Sequence, residues 1–120
     1  MRSTRANRPG MTAKEEPPSV AIDGDRVVVR YASAVDSSPC QDELPVSSIV
    51  QVILERTDSG GRPVVHWFLK HREGWTLHFN DEFIGAAAAI SKLRSRLKFS
   101  VPKDSDIPGS GSEGVIVWQA

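Results

Sequence analysis

The chain of 120 residues has little that marks a particular class of site, beginning with its single cysteine, Cys40. One cysteine excludes an intrachain disulfide and a zinc site built from several cysteines of the same chain. Fifteen basic and fifteen acidic residues give a formal net charge of zero, which removes the long-range attraction to nucleic acid that basic proteins use. We therefore predict no nucleic-acid partner for the molecule as a whole.

Long apolar segments are also missing from the sequence. No apolar run approaches the roughly 20 residues of a membrane helix. The N-terminus carries arginines but has no hydrophobic signal core. These features, together with the unpaired cysteine, predict a soluble cytoplasmic protein with no membrane partner.

Catalytic and cofactor motifs are absent or misplaced in the sequence. Residues 109–114 match G-x-G-x-x-G, but they lead into a C-terminal strand instead of opening a helix, so we predict no cofactor there. Cys40 and the pair Ser37 and Ser38 lie in a loop without an adjacent base or a nucleophile-elbow pattern. We predict no catalytic residue, and the sequence leaves open whether the chain has any activity.

The composition divides the chain into a short tail and one domain. Residues 1–18 contain almost nothing apolar that could offset the entropy of ordering them, so we predict a disordered tail. Met11 is an alternative start of the chain. The remaining residues, 19–120, have the composition of a single α+β domain.

The predicted strands follow one another in hairpins. Asp23-Gly24 suits a primed turn, so residues 20–22 and 25–31 are expected to pair. Two prolines, Pro39 and Pro45, predict a loop over residues 33–45. Further strands are expected at residues 49–56, at 64–72 and 75–79 as a second hairpin, and at 115–118.

One long helix is predicted between the second hairpin and the last strand. Asn80 or Asp81 can cap it, and it is expected to run to about Lys98. Its apolar side chains recur at spacings of three and four and form one stripe: Phe83, Ala87, Ile90, Leu93 and Leu97. The predicted fold is a twisted antiparallel sheet of five to six strands with this helix on one face. The alternative is a partly closed barrel of pleckstrin-homology type that holds the helix.

The hairpin over residues 64–79 carries large apolar side chains on both faces. We place a two-residue turn at Glu73-Gly74, which sets Arg72 opposite Trp75 and fixes the faces. The expected core face carries His66, Phe68, Trp75, Leu77 and Phe79. The expected second face carries Val65, Trp67, Leu69, His71, Thr76 and His78.

The second face is the predicted binding surface. Apolar side chains beyond the needs of one core are typical of association surfaces, so we predict a non-enzymatic protein-binding module. Its predicted binding residues are Ile49, Ile53, Val65, Trp67 and Leu69. The partner is expected to be another protein or a second copy of this chain, with Trp67 as the residue whose truncation weakens binding most.

Two other functions are kept as alternatives. A small hydrolase or metal-assisted enzyme would use His71 and His78, with Glu55 or Asp58 as a third ligand, although we predict no metal on this incomplete set. Weak binding of a polyanion would use the basic end of the helix. The residues of that end are Lys92, Arg94, Arg96 and Lys98.

The region from Ser48 to Gln119 resembles a set of small bacterial proteins of unassigned function. The resemblance is carried by residues 48–52, residues 65–69, the amphipathic helix and residues 115–118. It implies a small domain of sheet plus helix that acts as an interaction module, such as an adaptor or an immunity protein to a toxin. No functional residue follows from it.

Overall fold

The computed structural model of this chain describes residues 17–109 and 114–120. The predicted disorder of the N-terminal tail, up to residue 16, and most of the glycine-rich motif at 109–114 lie outside the described residues. Within the described ranges, no helix is both long enough and apolar enough to span a membrane.

Among the described residues, seven antiparallel strands form two sheets, and one α-helix accompanies them. The first sheet has the order β1-β2-β3, with β1 at Ser19–Asp23, β2 at Arg26–Ala32 and β3 at Pro39–Pro45. The second sheet has the order β6-β5-β4-β7, with β4 at Ile49–Ser59, β5 at Arg62–His71, β6 at Thr76–Asn80 and β7 at Val115–Gln119. The helix, α1, spans Ala86–Leu97.

The α+β class is confirmed, and the prediction of a single sheet is wrong. A 3-10 turn at Val46–Ser48 follows β3, and its first N–H donates to the Asp25 carbonyl. The chain leaves the first sheet there, so β4 does not pair with β3. No ladder joins the two sheets within the described residues, whereas the barrel alternative calls for continuous pairing around much of its wall.

Strand β3 occupies much of the segment that was predicted to be a loop, so that prediction is wrong. Pro39 and Pro45 stand at its two ends, and β3 lies at the edge of its sheet with β2 as its neighbour. Proline lacks the N–H of an interior ladder but is tolerated at the ends of an edge strand. The prolines therefore delimit this strand.

The hairpin of β5 and β6 has a register one residue away from the predicted one. The amide of Gly74 donates to the His71 carbonyl, and the amide of His71 donates to the Trp75 carbonyl, each at 2.8 Å. Gly74 has φ 103°, so three residues connect the strands, with a glycine in the left-handed region at the third position. The predicted two-residue turn at Glu73-Gly74 is wrong, because it leaves Arg72 out of the loop.

This register reverses the faces of β5. Trp67 lies opposite Phe79, and Phe68 lies opposite His78. Trp67 is 1% exposed and Trp75 is 42% exposed, so the predicted core positions of His66, Phe68 and Trp75 are wrong, and those of Leu77 and Phe79 are right.

One core fills the space between the two sheets. It contains these buried side chains: Val20, Ile22, Val27, Val29, Leu44, Val46, Ile49, Val52, Leu54, Val65, Trp67, Leu69, Leu77, Phe79, Ala86, Ala89, Leu93 and Ile107. Three of them come from α1, where small alanines let the helix approach closely. The predicted stripe is correct at Leu93 and wrong at Ala87, which is exposed.

The helix begins later than predicted because Ile84 is paired with β1. The Ile84 amide donates to the Pro18 carbonyl, and the Val20 amide donates to the Ile84 carbonyl, both at 2.9 Å. This bridge uses backbone groups that a helix from Asn80 would need. Gly85, at φ 85°, then turns the chain into α1.

We predict that Gly85→Ala destabilises the fold more than Gly74→Ala. Both glycines have positive φ, which costs an alanine about 1–2 kcal/mol. A Cβ at Gly85 would also lie 2.5 Å from the Val20 carbonyl oxygen, whereas a Cβ at Gly74 meets nothing within 4 Å. Urea unfolding should give a loss larger by about 1–2 kcal/mol for Gly85→Ala. Equal losses would contradict the close approach of β1.

We predict that Trp67→Ala lowers the free energy of unfolding by about 3–5 kcal/mol, as expected for a large buried aromatic side chain. Its ring packs against Phe79 at 5.8 Å and Phe99 at 6.0 Å between centroids. The control is Trp75→Ala, which removes a partly exposed ring and should cost much less. Chemical denaturation of both variants checks this, and similar losses would contradict the observed register.

Candidate functional site

The candidate site is the side of the four-stranded sheet that faces away from the core. We call it the outer face and define it by three rows of residues that run across the strands in register. The central row is Ile116, Ile53, Phe68 and His78. One flanking row is Gln119, Gln51, Lys70 and Thr76. The other flanking row is Glu55, His66 and Asn80.

The outer face follows from the alternation of side chains along the strands. Val52 and Leu54 point into the core and are fully buried, so Ile53 between them points outward. In the same way Phe68, between the buried Trp67 and Leu69, points outward. On β7 the register shift between Val52 and Ile53 of β4 places Ile116 beside Ile53.

The central row remains in contact with solvent. Ile116 is 50% exposed, His78 is exposed, and Ile53 and Phe68 are half-buried by their neighbours on the sheet. The helix does not lie on this face, since its buried residues belong to the core on the other side. The result is an apolar band across β7, β4 and β5 that ends at His78 on β6 and is bordered by polar side chains.

Two histidines are joined at the edge of this band. Nδ1 of His66 lies 2.9 Å from Nε2 of His78, and Nε2 of His66 lies 2.9 Å from Oγ1 of Thr57. One imidazole must donate and the other must accept in the first contact. The pair therefore holds at most one extra proton without losing its hydrogen bond.

Aromatic contacts hold the two rings in place. The ring centroids of His66 and His78 are 5.2 Å apart, and those of Phe68 and His78 are 5.0 Å apart. Phe83 meets His78 edge-on at 6.4 Å. The removal of water by these neighbours lowers the pKa of His78, and the nearby His66 lowers that pKa further.

The predicted binding residues divide between the core and the outer face. Ile49, Val65, Trp67 and Leu69 are at most 5% exposed and belong to the core. The three residues of β5 do so because the hairpin register differs by one residue from the predicted one, and Ile49 does so because β4 has a register shift between Ile49 and Gln51. A patch centred on Trp67 is therefore not a free surface of the chain. Ile53 is the one predicted residue that lies on the outer face.

The predicted meeting of His71 and His78 does not occur. Nδ1 of His71 accepts the Glu73 amide at 2.9 Å, and the His71 ring stacks on Trp75 at 4.5 Å. The register brings His66 to His78 instead. Within residues 17–109 and 114–120, no group of three or more histidine, cysteine or acidic side chains is arranged to hold a metal.

The loop nucleophiles and the basic helix end take part in local contacts. Ser38 donates its hydroxyl to the Asp36 carboxylate at 2.7 Å, and this hydrogen bond lowers the pKa of Asp36. Arg96 donates to the Asp25 carboxylate at 3.1 Å. That contact ties the helix to the β1–β2 turn, so one of the four predicted polyanion-binding cations already has an acidic partner.

A cavity of about 500 Å³ lies at the end of the first sheet where β2 ends and β3 begins. Its lining includes Tyr31, Cys40, Ile84 and Pro17. Tyr31 donates its hydroxyl to Asp42 at 3.1 Å, and this hydrogen bond and the carboxylate charge raise the pKa of Tyr31.

Sequence reasoning missed His66, Phe68 and Ile116 as surface residues. A one-residue change in the loop length moves the first two to the outer face. The signal that could have revealed this was Gly74 itself, since a glycine at the third position of a three-residue loop is typical of hairpins. Ile116 follows from the alternation of the last strand, but only once its register with β4 is known.

The chain matches no protein-family model, no curated protein and no solved structure. The resemblance to small bacterial proteins therefore stays a prediction.

We predict that the stability of the fold falls as the pH drops below about 6.5, the ordinary pKa of histidine. The pKa of His78 is lower in the folded chain than in the unfolded chain, so the unfolded state takes up the proton first and is favoured by acid. His78→Gln should flatten this dependence, while His71→Gln should retain it. Urea unfolding at several pH values, with an NMR titration of the imidazoles, checks both statements. A His78 that titrates above 6.5 would contradict them.

Proposed function

We propose that this chain is a non-enzymatic protein-binding module and that its binding surface is the outer face of the four-stranded sheet. The observation that carries the proposal is the apolar central row, which stays partly exposed although the core is complete without it. An apolar patch bordered by polar side chains is typical of an association surface. The proposal keeps the function expected from the sequence and moves it to the opposite side of the sheet.

The side chains of the outer face favour a protein partner over a polyanion. Its rows carry one lysine, Lys70, and one glutamate, Glu55, so the face has no net charge when both histidines are neutral. A nucleic-acid surface would need several cations. Phe68 and Ile53, side by side at the centre, offer instead the apolar centre that protein interfaces have.

The enzyme alternative has weaker support. His66 and His78 form a close pair, and the pKa of His78 is lowered. Such pairs occur at catalytic sites. A metal or hydrolytic centre would also need a third group, and among the described residues the nearest acidic neighbour in register is Glu55, opposite His66. Absence of a shift in the histidine resonances on addition of zinc would remove the metal-assisted form of this alternative.

The proposed class of partner agrees with what the resemblance implies. Adaptors and immunity proteins are interaction modules, and an open sheet face is a surface that such modules can use. The identity of the partner does not follow from any contact described above.

Site-specific photocrosslinking tests the proposal. A photoreactive phenylalanine analogue in place of Phe68 should form adducts with another polypeptide, and the same analogue at the exposed Gln41 of β3 should not. Ile116→Glu should reduce the Phe68 adducts by about tenfold or more, because it places a charge in the apolar row. The crosslinked chain is then identified by mass spectrometry and its affinity is measured with purified proteins.

The crosslinker at Gln41 and the Ile116→Glu variant are the two controls for binding at the outer face. Equal adducts at both positions, or adducts that Ile116→Glu leaves unchanged, would contradict binding at the outer face. A thermal melt of Ile116→Glu shows whether the variant is folded, and since Ile116 is 50% exposed, we expect its melting temperature to change little.

A further inference from the structure

The charges of the outer face lie on opposite sides of the apolar row. Lys70 is in one flanking row and Glu55 is in the other, on adjacent strands. The two rows are four positions apart along each strand, so Lys70 and Glu55 are about 14 Å apart across the sheet. They do not form an ion pair within one chain.

A twofold rotation about an axis along the apolar row exchanges the two flanking rows. It brings the Lys70 row of one copy against the Glu55 row of the other, and it stacks the apolar row on itself. Thr76 then faces Asn80 of the second copy, which places polar groups opposite polar groups. Each interface contains the Lys70–Glu55 contact twice.

We propose that the partner at the outer face is a second copy of this chain, packed face to face about that twofold axis. This inference rests on the proposed function and adds the identity and geometry of the partner. The apolar row supplies the contact that one copy leaves in water, and the placement of Lys70 and Glu55 makes the face complementary to itself, as a twofold dimer requires. A twofold axis along the strands would place the Lys70 rows of the two copies together and the Glu55 rows together. An axis oblique to the strands would make the two apolar rows cross.

The histidine pair gives this dimer a dependence on pH. In the proposed packing, Lys70 lies over His66 of the second copy and beside its Glu55. Four groups surround the histidine pair. Glu55 lies on β4, Lys70 lies on β5 with His66, Thr57 contacts Nε2 of His66, and the edge of Phe83 contacts His78. Protonation of the pair adds a positive charge opposite Lys70, so acid should weaken the dimer and neutral pH should favour it.

Sedimentation velocity of the full chain at micromolar to submillimolar concentrations tests the proposal. We expect a reversible dimer at about pH 8 and a shift toward monomer as the pH falls below about 6.5, the ordinary pKa of histidine. Glu55→Lys and Lys70→Glu should each weaken the dimer by about tenfold or more, since each places like charges together twice. The double variant restores both contacts and should recover most of the affinity.

A matched control separates this geometry from a general effect of charge. Glu43→Lys makes the same change on β3, on the other sheet, and should leave the dimer intact. A wild-type chain that stays monomeric at about pH 8 overturns the proposal, and so does a double variant as weak as the single ones. If the chain is monomeric while the Phe68 crosslinker still captures a different protein in an Ile116-dependent way, this inference fails and the proposed function stands.

Discussion

The hydrogen bond from the His71 amide to the Trp75 carbonyl closes the loop between β5 and β6. It determines which side chains of β5 face the core and which face outward. With three residues in the loop and Gly74 in the left-handed region, Trp67 points to the interior. The same register places Phe68 outward and brings His66 against His78. The core and the candidate site are thus two results of one loop geometry.

The outer face combines an apolar band with polar groups that satisfy one another. His66 is held by His78 on one side and by Thr57 on the other, so its two nitrogens have partners without a ligand. Such a network fixes the rings and reduces the entropy that a partner would have to remove on binding. A partner of the proposed kind would therefore meet an ordered surface and would gain most of its binding free energy from the apolar row.

Local patterns in the sequence predicted several elements correctly. The first hairpin formed as expected, although Asp23 pairs with Arg26 and the two-residue turn is therefore Gly24-Asp25, not the predicted Asp23-Gly24. The last strand and the end of the helix lie close to their expected positions, because turn chemistry and periodicity are local properties. The start of α1 was not predictable in this way. It depends on a bridge between Ile84 and β1, residues that are distant in sequence. β3 was not predicted because two prolines in a short segment are typical of a loop, and only the fold shows that they stand at the ends of an edge strand.

The candidate site was harder to predict than the fold. When both faces of a hairpin are apolar, hydrophobic alternation fits two registers equally well, and the choice rests on the length of one loop. This explains why Ile53, on β4, was placed correctly as a surface residue while Trp67 and Phe68 exchanged their roles. A charge pattern such as that of Lys70 and Glu55 has meaning only after the register is known.

The bridge between Ser19 and Ile84 has a consequence for the order of folding. Most strand pairs join neighbours in the chain, so their loops close at little entropic cost. The Ser19–Ile84 bridge and the pairing of β4 with β7 join residues about 65 positions apart. Loop closure over such distances is slow. We therefore expect the two hairpin sheets to form early, and the docking of β1 against Ile84 and the addition of β7 to limit the folding rate.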